Sequence, residues 1–369
     1  MLTNFPLKMV FMITYLAHWD WILYKSRKDL VKYINSQEIY AMCPDGKFSK
    51  GLRDTYRNVY SWKINRNKTL DIQAVLGLRV YLKNSENNFH CFTLKTGIIF
   101  SIASIFIKNR NKAVLSITGL GFLFSNDVRA KLLRIIIKPF IKFLFNNSFN
   151  VIIFQNQEDK ERFLNFSNFT NKTDIIPSSG IEFTNFIKRK NIIDSQEKKK
   201  IILVSRLLYD KGILDYLTLV NNLSDENFEF YLAGGRDEGN PQNITDRDMQ
   251  RILNTKNLHY LGEIEVETEL SNFDISVILS SHEGFSRILL ESLYTGLYCL
   301  SYRIPGTEVM EGFDNLDLVK LNQIDELAQL IKKFDRVVDN SKNIKLIEEL
   351  YSSKVVASRF ENIYNKLSV

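Results

Sequence analysis

Short, nearly continuous apolar runs alternate with longer stretches of helical periodicity along the 369-residue chain. Residues 9–14, 113–118, 151–155, 201–205, 228–233, 275–280 and 298–302 read as buried strands. Strands apolar on both faces and separated by helices are covered on both sides, so the pattern predicts parallel, doubly wound α/β sheets. A chain of this length accommodates about two domains at roughly 100–200 residues each. The Asn- and Lys-rich stretch 186–200, ending in Glu197-Lys198-Lys199-Lys200 before a new strand, is the best linker. The expected division is 1–185, 186–353 and a closing segment 354–369. With only 16 Gly and 6 Pro, collagen-like or long disordered architectures are excluded.

Charge is divided unevenly. Residues 1–180 hold 26 basic and 12 acidic side chains, net +14, whereas the remainder holds 23 basic and 30 acidic, net −7. The first domain is therefore expected to face an anionic surface. Residues 131–145, KLLRIIIKPFIKFLF, align Lys131, Arg134, Lys138 and Lys142 on one helix side, with Leu, Ile and Phe elsewhere and a kink expected at Pro139. Either this is a core helix with a solvated basic stripe or a basic amphipathic surface for anionic lipid. No segment reaches the roughly 18–20 apolar residues of a membrane span; the longest run is 97–107. The first 21 residues lack a signal peptide's basic start and cleavage site, and Cys43, Cys91 and Cys299 suggest no disulfide framework. A cytoplasmic location is the expectation.

Chemistry concentrates in the second half. In residues 280–291, Ser-Ser-His-Glu-Gly-Phe-Ser-Arg-Ile-Leu-Leu-Glu, a strand ends near Ser280, Gly284 allows a turn and a helix starts near Ser286. Such a helix start offers N–H groups and positive dipole to a diphosphate. Glu283 and Glu291 would lie about 12 Å apart if the segment were all helix. That is wide for a glycosidase carboxylate pair, which needs about 5–9.5 Å. They fit better as hydrogen-bond acceptors for the two ends of one extended ligand. Arg206 and Lys211, in Ser205-Arg206-Leu207-Leu208-Tyr209-Asp210-Lys211-Gly212, follow a strand at the edge where open sheets bind ligands and could neutralise a diphosphate. The turn Gly234-Gly235-Arg236 and the loop Pro305-Gly306-Thr307-Glu308 follow two further strands.

Together, Arg206 through Lys211-Gly212, the Glu283/Glu291 element and Pro305-Gly306 resemble a family 4 retaining glycosyltransferase of the GT-B fold. Thr118-Gly119-Leu120-Gly121 is similar to a loop of a subgroup that builds bacterial O-antigens, capsules and oligosaccharide-diphospholipids. Residues 90–95 and 176–181 sit where that subgroup has interior strand ends and its pre-linker loop, and 355–367 resembles its last helix, which crosses back onto the first domain. The resemblance implies two Rossmann-like domains facing across a cleft in which chemistry occurs. It implies that Arg206 and Lys211 hold a nucleotide diphosphate, Glu283 binds the donor sugar and Glu291 the ribose. Gly284, Phe285 and Ser286 would bring backbone donors, and Gly234 and Arg236 would approach the donor. His18, His90, Lys95, Gly119 and Gly121 are the acceptor-side candidates. Here the chain departs from the pattern: residues 16–21 lack the usual glycine-bearing loop, and Ser26 precedes Arg27 where relatives often have His-Arg.

The implied partners are a nucleotide sugar, a polyprenyl-diphosphate-linked saccharide and the cytoplasmic membrane surface, with neither cofactor nor metal. No helix-turn-helix or RNA-binding signature is present, so nucleic acid is not expected. Two alternatives stay open at this stage, a GT-B nucleotide-sugar epimerase and a non-catalytic GT-B partner in a polysaccharide assembly complex.

Overall fold

The computed structural model describes residues 11–68, 70–107, 112–124, 128–189, 198–223, 227–334 and 340–367. The beginning of the 9–14 run and most of the 186–200 linker lie outside them. The chain divides into two compact units, residues 1–181 with 351–369, and residues 182–350.

The first unit contains β1 (Phe11–Leu16), β2 (Gln37–Cys43), β3 (Val59–Ser61), β4 (Asn88–Phe92), β5 (Ala113–Ile117), β6 (Val151–Phe154) and β7 (Lys172–Ile175). They form a parallel sheet in the order β3-β2-β1-β4-β5-β6-β7. Strand alternation sends side chains into two cores. Phe89, Cys91, Leu115, Ile117, Ile152 and Phe154 enter one, against the helices Ile72–Asn84, Leu94–Ser104 and Val128–Ser148. Ile13, Tyr15, Val114, Val151 and Ile153 enter the other, against the closing helix Ser353–Leu367. Both faces are buried, as a parallel sheet requires.

In the second unit β8 (Lys199–Val204), β9 (Phe228–Ala233), β10 (Leu258–Gly262), β11 (Ile275–Ile278), β12 (Tyr298–Tyr302) and β13 (Leu316–Val319) make a parallel sheet in the order β10-β9-β8-β11-β12-β13. Ile201, Leu203, Phe230, Leu232, Val277 and Leu300 supply the centre of its core. In each sheet the strand order reverses once, between β1 and β4 and between β8 and β11. Open α/β sheets bind ligands outside the carboxyl ends of the strands at such a reversal.

Every strand predicted from an apolar run is present within the described residues, with ends shifted by up to two residues. Four of the unpredicted strands, β3, β7, β10 and β13, are sheet edges. Edge strands are short and half-covered, so they leave no continuous apolar run. Among the described residues no helix is long and apolar enough to cross a membrane.

Candidate functional site

The loops after β8 and β11 flank the reversal in the second sheet and are tied together by their backbones. Gly212 lies in the left-handed region, φ 74°, and a Cβ there would fall 2.3 Å from the Leu279 carbonyl oxygen. Only glycine admits that approach. Beside it the Ser281 N–H donates to the Asp210 carbonyl at 2.9 Å. This backbone clasp brings two distant side chains together: Lys211 Nζ donates to Glu283 Oε1 at 2.6 Å, and Ser280 Oγ donates to the same oxygen at 3.0 Å. The lysine and carboxylate are both largely buried.

Glu283 is buttressed from behind. A Cβ on Gly306 would sit 2.4 Å from the Glu283 carbonyl oxygen, and the Ser286 N–H donates to the Gly306 carbonyl at 2.9 Å. The loop after β12 thus fixes the turn that presents Glu283 and starts the helix Arg287–Thr295, whose N-cap is Ser286. The Ser286 hydroxyl is buried and has no hydrogen-bond partner. A helix start supplies N–H groups without intrahelical partners and a positive dipole end, so a buried hydroxyl here is chemistry suited to an anion. One turn along, Arg287 Nε donates to buried Glu291 Oε1 at 2.6 Å. Only Arg287 to Glu291 is helical, so the all-helix separation expected for Glu283 and Glu291 does not apply.

Arg206 NH1 donates to Asp237 Oδ2 at 2.5 Å, and Asn240 Nδ2 donates to that oxygen at 3.0 Å. Gly234 and Arg236 are engaged by the protein itself. The Gly234 N–H donates to Gly262 and its carbonyl accepts from Tyr260 Oη, while Arg236 donates to Asp246 Oδ1 at 2.7 Å and to the Ile244 carbonyl at 2.9 Å. These bonds of Gly234 tie the loop after β9 to β10. Gly284 and Phe285 are buried in the turn between Glu283 and Ser286.

In the first sheet, His18 follows β1 and Thr93, the N-cap of the helix Leu94–Ser104, follows β4, so both stand at the β1/β4 reversal. Thr93 has φ 78°, uncommon for a β-branched residue. Its Oγ1 lies 3.1 Å from His18 Nδ1, with Thr96 Oγ1 at 3.2 Å from the same nitrogen. Burial, and then the positive charges of Lys95 and Arg66, push the His18 pKa down to about 3, so the imidazole is neutral at pH 7. Lys95 Nζ donates to the carbonyls of Arg66 and Lys68 at 2.5 and 2.6 Å. The Arg66 guanidinium lies over Trp19, which stacks on Trp21. Gly119 and Gly121 occupy the loop after neighbouring β5.

His90 departs from the acceptor-side expectation. It is 1% exposed, with Nδ1 2.6 Å from Tyr364 Oη and Nε2 2.8 Å from Ser116 Oγ, and Tyr364 Oη meets Tyr15 Oη at 2.8 Å. Both ring nitrogens are consumed in fastening the closing helix to β1, β4 and β5, so this imidazole packs the core. Sequence reasoning missed Asp237 and Arg287, and it named Ser286 for its backbone N–H and not for its buried hydroxyl. The Arg287/Glu291 spacing of four was visible as a helical ion-pair signal, whereas nothing in the sequence links Arg206 to Asp237. Among the described residues no three His, Cys, Asp or Glu side chains gather as metal ligands.

Residues 184–345 match the family model described as Glycosyl transferases group 1. Two curated Escherichia coli proteins described as O-antigen biosynthesis glycosyltransferase WclY are each 24% identical over 158 residues, 40% of this chain and 42% of the relative's length. Among solved structures, Anabaena HepE in complex with UDP and glucose superposes with a TM-score of 0.76 at 16% identity, covering 96% of this chain and 100% of that one. Sucrose-phosphate synthase from Thermosynechococcus elongatus gives 0.76 at 14% identity, over 97% and 99% of the two chains. The second unit thus carries a match to the glycosyl transferases group 1 domain, within a chain of two Rossmann-like parallel-sheet units with the GT-B fold.

Proposed function

We propose that this protein is a family 4 retaining glycosyltransferase. It moves a hexose or N-acetylhexosamine from a nucleotide diphosphate sugar, with uridine as the base, to a polyprenyl-diphosphate-linked saccharide in O-antigen, capsule or related polysaccharide synthesis. The observation that carries the reading is the Lys211–Glu283 pair at the β8/β11 reversal, beside a helix start whose buried Ser286 hydroxyl has no partner. The match to the glycosyl transferases group 1 model covers these same residues, and the WclY likeness supports the pathway.

In the reaction, the bond between the sugar's anomeric carbon and the donor diphosphate oxygen breaks, and an acceptor hydroxyl oxygen bonds to that carbon on the same face. Breaking that bond leaves its electron pair, and so developing negative charge, on the departing diphosphate, which then takes up the hydroxyl proton. Lys211 and Arg206 stabilise that charge, helped by the N-terminus of the Arg287–Thr295 helix. Their carboxylate partners Glu283 and Asp237 hold the two cations in place before the donor arrives. Glu283 then accepts a hydrogen bond from a sugar hydroxyl, and Glu291 from the ribose. The neutral imidazole of His18, with Thr93 and Thr96, offers acceptor hydroxyls a hydrogen-bonding surface that carries no charge. The enzyme works in the cytoplasm, at the inner face of the membrane that holds its acceptor.

The test is a donor panel of UDP-glucose, UDP-galactose and their N-acetylated forms with a short polyprenyl-diphosphate saccharide. Acceptor-dependent UDP release and a product with the donor's anomeric configuration are expected. An inverted product, or UDP release from no donor, would overturn the assignment.

A further inference from the structure

The helix Val128–Ser148 packs one side into the core and exposes a basic row, as its sequence allows, but its solvent side also carries a broad apolar surface. Its inward side, Ala130, Ile141 and Phe145, is buried. Val128, Leu132, Ile135, Ile136, Phe140 and Phe143 are 57–70% exposed. At 3.6 residues per turn these six fall within an arc of about 140°, and Lys131, Lys138 and Lys142 form an exposed row along its Ile135 edge. Arg134 leaves that row, donating to the Leu123 carbonyl at 2.9 Å and lying over Phe124. The apolar surface continues on the same face of the sheet. The helix Leu94–Ser104 packs against both Val128–Ser148 and Ile72–Asn84, and on the latter Ile72, Leu76 and Val80 are 58–69% exposed at spacings of four. An apolar surface this extended has an occupant in ordinary proteins.

We infer that the outer face of these helices is a docking surface for an anionic lipid bilayer, with Leu132, Ile135, Ile136, Phe140 and Phe143 entering the acyl boundary and Lys131, Lys138 and Lys142 meeting the headgroups. Charge selects this occupant. Lys131, Lys138 and Lys142 are exposed on this face, and none of the three helices contains an Asp or Glu. A second copy of the chain would set this positive surface against itself, since a two-fold interface pairs like with like. Lysines beside an apolar helix face lay their stems along the hydrocarbon and keep the ammonium at the phosphates. The inference supplies the surface for the membrane association proposed above and rests on that association, not on the transfer chemistry.

Vesicle flotation of the full chain tests it without donor or acceptor. Vesicles of phosphatidylcholine and phosphatidylglycerol, about two to one, should carry the protein at least about tenfold better than phosphatidylcholine alone at low salt. Ile136→Glu with Phe140→Glu should lower that binding about tenfold or more. Leu132→Ser with Ile135→Ser, one turn away, should act in the same direction should the first pair disturb folding. Lys131→Gln, Lys138→Gln and Lys142→Gln together should remove the preference for the anionic lipid. Wild-type protein that ignores anionic vesicles overturns the inference, as does Glu-bearing protein that floats like wild type. So does a wild-type dimer that the Glu substitutions render monomeric while neither form binds vesicles, which would assign the face to a second copy. Donor binding measured on the same variants should be unchanged, which separates a failure here from a failure of the transferase reading.

Discussion

The two sheets reverse their strand order in the same way, yet the residues placed at the two reversals are chemically opposite. At β8/β11 the loops present Lys211 against Glu283 at 2.6 Å, with Arg206 against Asp237 at 2.5 Å in the loops after β8 and β9. At β1/β4 they present a neutral His18 between two threonine hydroxyls, while Lys95 turns away to backbone carbonyls. Topology selects the edge of the sheet where a ligand can bind, and the side chains there decide which ligand. One edge suits a diphosphate that gains charge as it leaves. The other suits uncharged hydroxyl groups, for which a fixed positive charge would bring no selectivity.

The sharpest way to break this contrast is to remove its charged half. Lys211→Ala and Arg206→Ala should each lower turnover by about 100–1000-fold, the usual scale for losing one preorganised contact to developing charge, in proteins that circular dichroism shows to be folded though less stable, because each leaves a largely buried carboxylate unpaired. Activity within a few-fold of wild type in both variants would place the donor elsewhere. Next in size is the backbone clasp beneath Lys211. Gly212→Ala puts a methyl group against Leu279 and forces a left-handed φ, so urea unfolding should show a loss of about 2–3 kcal/mol. An unchanged midpoint would mean that the loops are not held by this approach. In the first unit, Tyr364→Phe strands the buried His90 nitrogen and should cost about 1–2 kcal/mol.

A further expected effect concerns pH. His18 stays neutral in the folded chain down to about pH 3, whereas an unfolded histidine takes up a proton near 6.5. The stability it contributes is therefore complete above about pH 6.5 and is lost as pH falls from there towards 3. His18→Gln should lose less stability than wild type between pH 7.5 and 4.5 in urea titrations. Equal losses would indicate that His18 is solvated and free to protonate, and the contrast between the two edges would weaken.

Much of this architecture was legible in the sequence because central parallel strands are apolar on both faces. Runs such as 228–233 and 298–302 carry their own signature and coincide with β9 and β12. Edge strands such as Lys172–Ile175 do not, since half their surface meets water. Lys211, Glu283 and Gly306 stood out through turn chemistry and their place after strands. Their mutual contact did not, because 72 residues separate the lysine from the carboxylate and the fold alone joins them. His90 shows the converse. A lone histidine near a strand end is as consistent with a ligand group as with a core residue, and only its burial against Tyr364 and Ser116 decides. On the Val128–Ser148 helix periodicity located the lysines, but nothing in the sequence told which apolar side faced the sheet.

The claim at the centre of this account is that a nucleotide diphosphate binds at the β8/β11 reversal. Titration calorimetry of UDP against wild type, Lys211→Ala and Lys142→Gln tests it most directly. Saturable one-to-one binding by wild type and Lys142→Gln, weakened at least about tenfold in Lys211→Ala, is the predicted result, since a charge-assisted hydrogen bond contributes about 1.5–3 kcal/mol. Equal affinity in all three proteins, or a loss in Lys142→Gln matching that in Lys211→Ala, would contradict it.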